Sequence, residues 1–131
     1  RAADAVMTHV ADISRTSYSM PPAHGAAIVA TILGDPALRA EWEAELTQMR
    51  ERMIGLRKAL SDALVAKTGS NRLAALAEQN GMFSQIPVTP EAAKDMREKH
   101  GLYLPASGRI NIAGLRQADI PRIADIMSEY L

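Results

Sequence analysis

Cysteine is absent from these 131 residues, which removes disulfides, thiolate metal sites and cysteine nucleophiles together. Net charge is also absent: fifteen basic residues balance fifteen acidic ones, so no broad nucleic-acid footprint and no polybasic membrane patch is expected. No apolar run approaches the length of a membrane span, and the alanine-rich start carries acidic residues where a signal peptide needs an uninterrupted apolar core. The chain is expected in the cytoplasm. There is no G-x-S-x-G elbow, phosphate-binding loop, dinucleotide fingerprint, internal repeat or low-complexity tract. His9, His24 and His100 are scattered without a second ligand at metal spacing, so no metal site is expected. The chain also lacks an initiator methionine and opens in mid-pattern, from which a piece of a longer polypeptide is expected.

What is present is one domain's worth of amphipathic pattern. Val6, Val10 and Ile13 place a helix over residues 2–13, broken by an irregular segment over 15–22 that contains two consecutive prolines. A second helix runs to Gly34, where a left-handed cap is expected. Asp35-Pro36 opens a third, in which Leu38, Trp42, Leu46, Met49, Met53, Leu56, Leu60 and Leu64 form one core-facing stripe. Closed by Gly69, it is roughly 48 Å long, enough to span two bodies, with Gly55 as a point of bending or close packing. Beyond it the pattern predicts a connector over 71–79, strands over 81–86, 102–104 and 109–113, a helix from Pro90 to His100, and a last helix from about Asp119. The fold class is α+β: helices, a long joining helix, and a small α/β layer.

The segment Ala106-Ser107-Gly108-Arg109-Ile110-Asn111-Ile112-Ala113-Gly114 holds one arginine between glycines at the entrance of a strand. A guanidinium fork so placed suits a carboxylate through two parallel hydrogen bonds, or a structural ion pair with a neighbouring acid. Arg15, before the Tyr18-Ser19-Met20-Pro21-Pro22 turn, is a second arginine in an irregular segment; two separated forks suit a dicarboxylate. Phe83, the only phenylalanine, follows Gly81-Met82 and either lines a pocket or joins the core. Lys58, Lys67, Lys94 and Lys99 all sit in charge-dense helical segments and read as surface residues.

Taken in order, residues 15–26 (Arg15 to Ala26), the long helix, Asn80-Gly81-Met82-Phe83-Ser84 and Ser107 to Gly114 closely resemble the C-terminal third of class I aspartate and aromatic amino acid aminotransferases. The resemblance covers essentially the whole chain. It implies a fold-type I enzyme that uses pyridoxal 5'-phosphate and works as a homodimer with shared active sites, acting on amino acids and 2-oxo acids such as 2-oxoglutarate. It implies that Arg109 pairs with the substrate α-carboxylate. Arg15 then reaches the neighbouring subunit's site, meets the side-chain carboxylate of aspartate or glutamate, and swings aside for aromatic substrates. Phe83 matches the aromatic residue beside the substrate and Ser19 an interface serine. Met20 stands where many members carry asparagine. The domains implied are the end of the large cofactor domain (1–35), the joining helix (36–67) and the small domain (68–131). The family's cofactor lysine, phosphate-binding arginine and ring-nitrogen aspartate lie upstream, so this chain alone is expected to bind no cofactor and to be inactive. The competing expectation is a non-catalytic α+β dimerisation module with Arg109 as a structural ion pair.

Overall fold

The longest helix, α3 (Pro36–Thr68), begins and ends where local chemistry satisfies its free backbone groups. In the computed structural model, which describes residues 1–131, Asp35 is extended and its Oδ1 accepts the backbone N–H groups of Ala37 at 2.8 Å and Leu38 at 3.1 Å. Pro36 at the first position has no N–H to satisfy. Gly69 stops the helix with φ 67°, donating its N–H to the Val65 carbonyl at 2.8 Å. Upstream lie α1 (Ala2–Tyr18) and α2 (His24–Gly34).

Four expectations about α1, α2 and α3 need correction. α1 does not stop at residue 13 but continues through Arg15 to Tyr18, with the Thr16 and Ser17 hydroxyls satisfied inside the helix by donating back to the Asp12 and Ile13 carbonyls at 2.7 and 2.8 Å. The prolines end it only later. Gly34 is not left-handed: the next residue turns extended to cap α3, so the exit is made by Asp35. The stripe of α3 is buried only from Leu56 onward, at Leu56, Leu60 and Leu64, while Leu38, Trp42, Leu46 and Met49 are exposed. Gly55 has open space where a Cβ would stand, so no close packing occurs there.

The chain divides into two compact units, Arg1–Ala44 and Glu45–Leu131, with the division inside α3. In the second, β1 (Phe83–Gln85) pairs antiparallel with β2 (Arg109–Asn111), with Phe83 opposite Asn111, Ser84 opposite Ile110 and Gln85 opposite Arg109. Between them α4 (Pro90–His100) is capped by Thr89, whose side-chain oxygen accepts the Ala92 N–H at 3.1 Å, and is stopped by Gly101 at φ 65°. After β2 the chain tightens into a 3₁₀ turn at Ile112–Gly114, so the strand is shorter than expected. The expected strand over 102–104 does not form: Leu102 and Leu104 pack against the core as alternation predicts, but no strand pairs with them, the Leu102 N–H going to the Met96 carbonyl at 3.1 Å instead, and the sheet has two strands only. α5 (Ile120–Ser128) closes the unit. Leu60, Leu64, Ile86, Met96, Ile112 and Met127 form the centre of its core. The molecule is mostly helical with one small antiparallel sheet, within the α+β class expected.

Candidate functional site

The outward face of the two-stranded sheet brings Arg109 and Phe83 together. Side chains alternate along β1, so buried Ser84 faces inward and Phe83 and Gln85 face outward. Because Gln85 stands opposite Arg109, the diagonal neighbour of Arg109 on that face is Phe83. The Arg109 guanidinium carbon lies 4.7 Å from the Phe83 ring centroid, a cation–π contact that holds the planar fork over the ring. Phe83 is 47% exposed, so it is not a core residue.

Arg109 belongs to none of the ion pairs of the structure; the carboxylates that are paired meet other cations. Its charge is compensated only by the ring face, which leaves its donors available. Beside it opens a cavity of about 350 Å³, walled by Phe83, Tyr103, Asn111, Leu115 and Met127 as well as Arg109. One cationic fork at the rim of a largely apolar hollow suits a ligand with a carboxylate at one end and carbon at the other.

The turn entering β2 accounts for the rigidity of this arginine. Gly108 is buried at φ 74°, and a Cβ there would collide with the Ile86 carbonyl oxygen, so only glycine fits. Its own carbonyl accepts the Ile86 N–H at 2.9 Å. Gln85 Nε2 donates to the Ser107 carbonyl from the neighbouring strand. Gly114, in contrast, has neither a positive φ nor a crowding neighbour, so its position does not require glycine.

Arg15 and Ser19 belong to the first unit. Arg15 is helical rather than irregular, exposed in the last turn of α1, and its carbonyl accepts the Ser19 N–H at 3.0 Å. Ser19 has φ 58°, the only non-glycine residue in the left-handed region, a strained geometry for a serine. Met20 beside it is 84% exposed.

Two arginines went unremarked in the sequence because their partners are distant in the chain. Arg57 is 3% exposed; it donates from Nη1 to Ser84 Oγ and from Nη2 to the Gly81 carbonyl. Arg52 donates to the carbonyls of Ala113 at 3.1 Å and Leu115 at 2.8 Å. The available signal was that Arg57 falls three residues before Leu60 and four after Met53, on the edge of the apolar stripe.

The lysines are surface groups: Lys58 pairs with Asp62 at 2.6 Å, Lys67 with Asp125 and Lys99 with Asp95, and Lys94 is exposed. The hydrogen bond and negative charge of Asp95 hold the Lys99 ammonium pKa above the ordinary lysine value. None of the four lines the cavity at Arg109.

The family model described as aminotransferase class I and II matches residues 2–127. The chain is 52% identical over 122 residues to a tyrosine aminotransferase of Rhizobium meliloti, covering 93% of this chain and 31% of that protein. It is 48% identical over 101 residues to an aspartate aminotransferase of Escherichia coli, covering 77% of this chain and 26% of that one. Among solved structures, an aromatic-amino-acid aminotransferase from Burkholderia pseudomallei, covalently bound to pyridoxal phosphate, superposes with a TM-score of 0.87 at 35% identity, over 97% of this chain and 32% of that chain. The chain thus spans about a third of the length of such relatives.

Proposed function

From the premise that this chain belongs to the family of class I and II aminotransferases, we propose that it supplies the substrate-carboxylate-binding third of an aminotransferase acting on aspartate or aromatic amino acids and a 2-oxo acid. The observation that carries this reading is the unpaired Arg109 fork, stacked on Phe83 at the rim of the cavity. In this role Arg109 binds the α-carboxylate through two parallel hydrogen bonds and Phe83 flanks the substrate. The competing reading, a non-catalytic module, required Arg109 in a structural ion pair, and it has none.

Arg15 and Ser19 are assigned by resemblance to the neighbouring subunit's site in a homodimer, Arg15 to the side-chain carboxylate of aspartate or glutamate. The division into residues 1–35, 36–67 and 68–131, and a cytoplasmic location, go with the same reading. The cofactor of the family is pyridoxal phosphate, which the Burkholderia pseudomallei relative binds covalently. The residues of this chain do not fit it. A covalent site needs a lysine in the cavity, and the four lysines stand elsewhere, three of them held by aspartates. The contribution of this chain is therefore to bind and orient the substrate.

The test is Arg109→Ala in the complete enzyme, assayed with aspartate, tyrosine and phenylalanine beside Arg15→Ala. Arg109→Ala is expected to lower kcat/KM by about 10²–10³-fold for every amino acid while cofactor absorbance is unchanged, since a desolvated charge pair is lost. Arg15→Ala is expected to impair the aspartate reaction selectively. Unchanged kinetics in Arg109→Ala would sink the assignment of the clamp; equal losses with all three substrates in Arg15→Ala would sink that of the second arginine.

A further inference from the structure

A buried cation with no acid beside it is an expensive way to join a helix to a strand. Arg57 is such a cation: it makes no ion pair, and its two donors meet a hydroxyl and a carbonyl. Where stability alone is at stake, an apolar side chain of similar volume serves as well or better at such a place. The fork does something an apolar residue cannot, because it fixes β1 and the turn that enters it at once.

Those two points bracket Phe83. Gly81 lies two residues before it and Ser84 one after, so the Arg57 fork holds the chain on both sides of the ring from α3, by a backbone carbonyl before it and a side-chain hydroxyl after it. Because Ser84 faces inward, its bond to Arg57 also sets the strand's rotation, and hence the outward direction of Phe83. A three-residue strand with a single partner has little stability or fixed orientation of its own, so the backing element decides where it stands. The same helix grips the other strand's exit: Arg52, five positions earlier, donates to the Ala113 and Leu115 carbonyls just beyond β2. Both strands are thus tied to α3 by arginines, and the Arg109–Phe83 pair is carried between the ties.

We propose that Arg57 is a positioning residue for substrate binding, holding β1 so that Phe83 sets the Arg109 fork in its carboxylate-binding orientation. This rests on the assignment of Arg109 above. Arg57 itself touches no substrate.

The experiment measures steady-state kinetics of the complete enzyme carrying Arg57→Met, Arg57→Lys or Ser84→Ala, each alone and combined with Arg109→Ala. Arg57→Met is expected to raise the amino-acid KM about tenfold with kcat within about twofold and cofactor absorbance unchanged. Arg57→Lys, which keeps the charge and can reach one acceptor, recovers part of that loss. In the Arg109→Ala background the same Arg57→Met change is expected to move KM by less than about twofold, because its effect passes through Arg109. If Arg57→Met does not accumulate as folded protein, Ser84→Ala decides on the same readout, with an expected rise of about threefold that vanishes without Arg109. Unchanged KM in a folded variant, or an undiminished effect in the Arg109→Ala background, overturns the proposal while leaving the clamp standing. No effect of Arg109→Ala itself overturns both.

Discussion

The two units of this chain are built from equally convincing helical sequence, yet only one of them has an interior. In Arg1–Ala44 every residue except Ser14 and Ile32 is exposed, and α1 and α2 bury nothing. Their hydroxyl back-bonds and the Asp35 cap at their boundary with α3 are local, made within four residues. In Glu45–Leu131 the core residues come from α3, α4, α5, β1's flank and the 3₁₀ segments Asn71–Leu76 and Ile112–Gly114 together. The lesson is that pattern and capping define a helix, whereas burial against distant residues gives it stability. The same contrast holds at the arginines: Arg109 is held by a ring, a register and a crowded glycine, while the one bond of this chain at Arg15 beyond its helix ladder is from the adjoining Ser19 N–H.

The contrast is sharpest in hydrogen exchange on the 131-residue chain. Amides of Leu60 and Leu64 are expected to exchange at least about three orders of magnitude more slowly than those of Val10 and Val29, because short unpacked helices open almost freely. Comparable protection in both regions would break the comparison. Next in size is a pair of truncations followed by chemical denaturation. Leu60→Ala, at a fully buried site (0% exposed), is expected to cost about 2–5 kcal/mol, whereas Leu33→Ala, at 44% exposure, stays within about 0.5 kcal/mol. The smallest effect concerns a surface pair inside the stable unit. The folded-state pKa of Lys99 is raised by Asp95, so whatever the pair contributes is present below the unfolded lysine pKa and is lost as pH rises through the higher folded value. Asp95→Asn should return the Lys99 titration, followed by NMR, toward the ordinary lysine midpoint; no change in midpoint would show that the hydrogen bond is not formed in solution.

Some helix limits with a local cause were readable, though the end of α1 and the exit of α2 were not. Asp35-Pro36 and Gly69 act through bonds within a few residues and stand where the sequence placed them, and α4 has the limits expected, Pro90 and His100, set by the Thr89 cap and Gly101. The segment over 102–104 has the alternation of a strand, but strand identity requires a bonded neighbour, which alternation cannot supply. The stripe of α3 reads as uniform along the helix, and only the packing elements decide which part of it is covered. At the site, Arg109 and Phe83 were singled out through resemblance, and the structure brings the two together. Their stacking was not readable, because it depends on a cross-strand register that links residues 26 positions apart. Arg57 escaped for the same reason: its acceptors lie 24 and 27 residues away.

The crowding at Gly108 also acts as a register pin. If β2 slid along β1 by one residue, a side-chain-bearing neighbour, Ser107 or Arg109, would be pushed against the Ile86 carbonyl, which leaves no space for a Cβ. The same slip would turn every side chain of β2 to the opposite face and send Arg109 inward, away from Phe83. A missing methyl group thus selects the face of presentation: it excludes the misaligned strand pair that would hide the cation, and leaves the alignment that displays it.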